Sequence, residues 1–93
     1  MITVLTVYTK DRCGYCNMVK AYLKEQEIPF EEINIDHDNK AREYMISEGH
    51  YTAPQIYYEG KLLVEGGCDA LTSLGSNEIK ERMGNFDLGG LSL

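Results

Sequence analysis

Apolar positions along the chain switch between strand-like and helical spacing, with Gly and Pro marking the changes. Ile2-Thr3-Val4-Leu5-Thr6-Val7-Tyr8 is a β-branched, apolar run of strand length. Cys16, Val19 and Leu23 then recur at i, i+3 and i+7, the stripe of a helix over about residues 14–26. That helix stops before Pro29, whose ring and missing N–H cannot continue it. Phe30 to Ile35 reads as a second strand, and Asp38 or Asn39 can cap a second helix with Ala41, Tyr44 and Met45 on one face. Gly49 suits that helix's end. Gln55 to Tyr58, a Glu59-Gly60 turn and Lys61 to Val64 form a hairpin pattern. Gly66-Gly67 opens a helical segment through Leu74; Gly75 breaks it, and Ser76 or Asn77 starts a last helix to about Met83. The expected order is β-α-β-α-β-β-α. A βαβ unit makes a parallel pair and the hairpin an antiparallel one, giving a four-stranded mixed α/β sheet with helices on both faces.

Length and composition narrow the class. At 93 residues there is room for one domain, expected over 1–84, with 85–93 as a short Gly- and Leu-containing tail that frays. No window reads as a membrane span or a secretory signal, and there are neither repeats nor low-complexity segments. Three cysteines, an odd number, argue against a structural disulfide framework and for the reducing cytoplasm. The net charge of −6 gives nucleic-acid binding no electrostatic support and favours a soluble monomer.

The chemistry concentrates at Cys13-Gly14-Tyr15-Cys16, where the first strand gives way to the first helix. Residues three and four apart share a helix face, so the two sulfurs can come within bonding reach. The first thiol also lies beside unpaired N–H groups and the positive end of the helix dipole, which favour thiolate. A free thiol with pKa about 8.5 is only a few per cent thiolate at neutral pH, and lowering it two units takes about 2.7 kcal/mol. A helix terminus supplies about 0.3–1 kcal/mol, or about 2 when partly buried. Lys10 and Arg12 are the nearby cations that can add to it. Cys13 is then the attacking thiol and Cys16 the resolving one. The competing readings are half a zinc site or two inert core thiols. Zinc usually takes a second pair or two histidines, and Cys68, His37 and His50 show no ligand-like spacing.

The thiol pair, the element order and the length together resemble the thioredoxin fold and, more closely, the glutaredoxin family, over roughly residues 2–83. Tyr8-Thr9-Lys10 resembles the lysine-bearing loop before the glutaredoxin thiols, and Cys13-Gly14-Tyr15-Cys16 the dithiol site. Thr52-Ala53-Pro54 is similar to the family's Thr-Val-Pro, whose proline is cis; Gly66-Gly67-Cys68-Asp69 resembles the Gly-Gly motif after the hairpin. On physical grounds alone, a cis bond at Ala53–Pro54 is cheap for an X-Pro pair and would turn the Ala53 backbone groups outward for an extended ligand. An ordinary trans loop proline is the alternative. Gly66-Gly67 before a helix lets an anion approach free N–H donors, or is simply a turn.

The resemblance implies a dithiol glutaredoxin, with glutathione as co-substrate rather than as a tightly bound cofactor. Lys10 would hold the glycyl carboxylate with Arg42 assisting. Tyr15 would pack on the ligand, and Thr52, Ala53 and Pro54 would pair with its backbone. Gly66, Gly67 and Cys68 would take the γ-glutamyl carboxylate and Asp69 its ammonium. Ala70 and Tyr51 depart from the family's usual acid or hydroxyl and basic residues. Implied partners are disulfide-containing or glutathionylated proteins, ribonucleotide reductase among them. Two rivals stay open: a redoxin fed by thioredoxin reductase, and a 2Fe–2S cluster shared between two protomers through Cys13 and glutathione, which Gly14 in place of a proline favours. Cys68 itself reads as a small buried residue with an inert thiol, or as an oxidation site.

Overall fold

β1 (Leu5–Thr9) lies at the centre of a four-stranded sheet ordered β2-β1-β3-β4. The computed structural model describes residues 4–64 and 66–88. β1 runs parallel to β2 (Phe30–Asn34), with Leu5 opposite Phe30. It runs antiparallel to β3 (Gln55–Tyr58), with Val7 opposite Ile56, and β3 pairs antiparallel with β4 (Lys61–Leu62). The mixed sheet matches the expectation from the sequence.

Strand alternation sorts the side chains into two layers. Leu5, Val7 and Ile56 point to one face, where they pack with Val19 and Leu23 of α1 (Gly14–Glu25) and Leu71, Ile79 and Met83 of α3 (Gly67–Leu88). On the other face Tyr8 and Tyr57 meet Tyr44 of α2 (Asn39–Ser47), with ring centroids 5.3 to 6.1 Å apart. All four β3 residues are buried because both faces are covered there.

Helix ends follow capping chemistry. The Asp38 carboxylate accepts from the Ala41 N–H across 3.0 Å and starts α2. Both α1 and α2 end in a Schellman motif. In α1, Ile28 N–H bonds Leu23 C=O and Glu27 N–H bonds Lys24 C=O, with Glu27 left-handed at φ 58. In α2, His50 N–H bonds Met45 C=O and Gly49 N–H bonds Ile46 C=O, with Gly49 at φ 84.

Several boundaries differ from the sequence reading; β1 includes Thr9 and β2 ends at Asn34. β4 ends at Leu62: the Leu63 N–H still reaches Ile56 C=O, but the Leu63 carbonyl accepts from Arg82 Nη1 at 2.8 Å, and Val64 turns into the core. The last helix runs to Leu88, so residues 85–88, expected to begin the tail, are helical; 89–93 lie outside the described residues. Gly75 interrupts α3 at φ 78, ψ 160, so the break expected there is present. Among the described residues no helix is long and apolar enough to cross a membrane.

Candidate functional site

The strand-to-helix turn places the thiol pair. Cys13 is the N-cap of α1, in extended backbone, and its Sγ accepts from the Cys16 N–H at 3.1 Å. An N–H aimed at the first sulfur, added to the helix terminus, favours its thiolate when the pair is reduced. Here the two are joined as a disulfide, with Cα atoms 5.2 Å apart. Both residues are buried, Cys13 keeping 8% of its surface and Cys16 1%, so Cys13 is the less enclosed of the two.

Three loops gather around Cys13. The loop before it turns through Arg12 at φ 56, and hydrogen bonds tie its Asp11 to the β2–α2 connection. Asp11 N–H donates to Asp36 at 2.8 Å, Asn34 donates to the Asp11 carboxylate at 3.0 Å, and His37 Nε2 lies 3.1 Å from the same oxygen. The Asn34 bond first, then His37, holds the Asp11 carboxyl below its usual range. This anchoring is absent from the sequence reading, since none of its members is adjacent in a motif.

The second loop carries the cis peptide Ala53–Pro54. The Ala53 carbonyl oxygen lies 3.7 Å from Cys13 Sγ, so the peptide does sit beside the thiols. Gln55 fixes this loop from below, its Nε2 donating to Thr52 C=O at 3.0 Å. The third loop, Gly66-Gly67, packs directly on the second. Gly67 has φ +66, and a Cβ there would lie 2.9 Å from the Pro54 carbonyl oxygen. Only glycine fits both demands.

Between these loops and Tyr15 opens a cavity of about 460 Å³, a ligand-sized volume. Of the residues expected to bind a ligand, Tyr15, Thr52, Ala53, Pro54, Gly66, Gly67, Cys68 and Asp69 line it. Lys10 and Arg42 do not; both are exposed outside the lining. His50, Gln55 and Leu62 line it without having been singled out. Cys68 is buried, and burial, then the Asp69 charge, push its thiol pKa up, so it stays protonated and a poor nucleophile. Among the described residues no group of three or more His, Cys, Asp or Glu is placed to hold a metal.

A family model for glutaredoxin matches residues 5–63. Glutaredoxin 3 of Escherichia coli is 41% identical over 69 residues, which span 73% of this chain and 81% of that protein. The glutaredoxin-like protein NrdH of Lactococcus lactis is 47% identical over 53 residues, 57% of this chain and 74% of its own length. The holo form of a glutaredoxin from Populus tremula x tremuloides superposes with a TM-score of 0.71 at 25% identity, covering 89% of this chain and 78% of the other. The chain belongs to the glutaredoxin family of thiol oxidoreductases, and its sheet is the thioredoxin-like one.

Proposed function

We propose that this member of the glutaredoxin family is a glutathione-dependent thiol–disulfide oxidoreductase. The observation that carries the reading is the cavity. Its lining includes Ala53, whose carbonyl oxygen lies 3.7 Å from Cys13 Sγ, together with the first residues of α3, the Asp69 carboxylate and the rest of the Thr52–Pro54 loop. A helix start suits a carboxylate, Asp69 an ammonium, and an extended loop backbone the peptide between them. Glutathione offers all three.

In this reading the Cys13 thiolate attacks one sulfur of a protein disulfide or a glutathione mixed disulfide. The old S–S bond breaks, and the other sulfur leaves as a thiolate that takes a proton from water. With a protein substrate, Cys16 gives up its proton and attacks Cys13, releasing the reduced protein and leaving the Cys13–Cys16 disulfide. Two glutathione molecules then restore the dithiol and leave as glutathione disulfide. The protein would act in the cytoplasm as a monomer on disulfide-containing or glutathionylated proteins, ribonucleotide reductase among them.

A second reading draws on the similarity to the glutaredoxin-like protein NrdH and on the exclusion of Lys10 and Arg42 from the cavity. In it the dithiol is regenerated by thioredoxin reductase. The test follows NADPH consumption with a small mixed disulfide, once with glutathione and glutathione reductase, once with thioredoxin reductase alone. Turnover only in the first supports the glutathione reading; turnover only in the second replaces it. The third reading is a 2Fe–2S cluster shared between protomers through Cys13 and glutathione. Anaerobic reconstitution with iron, sulfide and glutathione that leaves the protein colourless removes that role.

A further inference from the structure

The described residues lining the cavity include one carboxylate, Asp69, and one side chain able to become cationic, His50. A γ-glutamyl thiol tripeptide brings one ammonium and two carboxylates. Asp69 suits the ammonium and the free N–H groups at the start of α3 suit one carboxylate. The second carboxylate still needs a donor, and neither Lys10 nor Arg42 is in the lining.

His50 is held from two directions. Its backbone closes α2, donating to Met45 C=O at 2.9 Å directly after the left-handed Gly49. Its ring stands edge-on to Tyr57, with centroids 5.8 Å apart and planes at 90°, and Nε2 lies 2.8 Å from the Tyr57 hydroxyl oxygen. Burial first, then the Glu48 charge, push the Tyr57 hydroxyl's pKa up to about 12. The phenol therefore keeps its proton and holds Nε2, while Nδ1 has no hydrogen-bond partner among the described residues. In the imidazolium both nitrogens donate, one to Tyr57 and one to a ligand.

We propose that His50 is a specificity-determining residue of this site: it binds the glycyl carboxylate of the thiol peptide, and Tyr57 positions its ring. The assignment rests on the glutathione reading above. Its signature is a carboxylate preference that depends on one side chain.

The test compares a small glutathione mixed disulfide with the same substrate carrying a glycyl amide, for wild type, His50→Gln, His50→Arg and Tyr57→Phe. Wild type should prefer the acid by about tenfold in kcat/KM, the scale of one charge-assisted hydrogen bond. His50→Gln should lose that preference through KM, with the acid substrate weakened far more than the amide; His50→Arg should restore it. Tyr57→Phe, which keeps the ring but frees Nε2, should retain part of it. Because both substrates are read on each variant, a change in stability cancels. Equal losses on both substrates in His50→Gln, or a wild type indifferent to the amide, would overturn the assignment while leaving the glutathione reading intact. A wild type that turns over neither substrate removes both.

Discussion

Gly67 lies so close to Pro54 that a single methyl group on its Cα would stand 2.9 Å from the Pro54 carbonyl oxygen. The two loops that frame the cavity are thus in backbone contact, with no side chain between them. Gly67→Ala must push them apart and also place an alanine at φ +66, which together cost about 1–3 kcal/mol. Thermal unfolding should show the loss, and steady-state kinetics a raised KM. Gly14→Ala is the matched control, because its Cβ meets nothing within 4 Å and its stability should not fall.

The unequal burial of the two cysteines, with 8% of the residue surface left at Cys13 against 1% at Cys16, and the place of Cys13 at the start of α1 predict unequal mutants. Cys13→Ser should abolish reduction of a small glutathione mixed disulfide. Cys16→Ser should keep most of it while losing turnover of protein disulfides, which need an internal resolving thiol. Equal loss in both mutants on the small substrate would contradict this order of attack.

The two Schellman closures offer an internal comparison. Gly49 meets the left-handed requirement at the end of α2, whereas α1 meets it with Glu27 at φ 58. Glu27→Gly should therefore stabilise the protein by up to about 1 kcal/mol, and Gly49→Ala should destabilise it by about the same. Chemical denaturation midpoints measure both.

Thr9 is buried, and its hydroxyl donates to Glu32 Oε2 at 2.7 Å, while Lys20 Nζ reaches the same oxygen at 3.0 Å. The Thr9 bond first, then Lys20, lowers the Glu32 pKa from the ordinary 4.5. The folded state thus favours the charged carboxylate. Its contribution is complete above about pH 4.5 and is lost as pH falls through the folded value. Thr9→Val should cost about 1 kcal/mol at pH 7, held to that size by the half-exposed carboxylate, and the gap to wild type should narrow toward pH 3. Denaturant melts at both pH values test the sign.

Local features of this protein were readable from sequence, and lateral ones were not. Cys13 and Cys16 announce themselves by spacing, and Gly75 by being a glycine inside a helical pattern. The cis bond at Pro54 was legible through the resemblance of Thr52-Ala53-Pro54 to the family's motif, since the low cost of a cis X-Pro pair permits it without selecting Pro54 over Pro29. His50 was hidden: its role depends on a tyrosine seven residues on, across a helix-to-strand connection, and nothing in the polar stretch around it marks that meeting. The early end of β4 was hidden for the same reason, since the competitor for the Leu63 carbonyl is Arg82 on the last helix. Lys10 was legible as a lysine near the thiols, yet its direction depends on how Asp11 is tied down to Asp36 and Asn34.

The strand order leaves β2 and β4 at the margins of the sheet. Margins carry unpaired backbone groups that invite strands from other molecules. β4 is two residues long, too short to template an intruder, and β2 carries adjacent exposed acids, Glu31 and Glu32. If the Thr52–Pro54 loop takes extended partners as proposed, they have that one backbone to pair with, and foreign strands find poor purchase at either margin of the sheet.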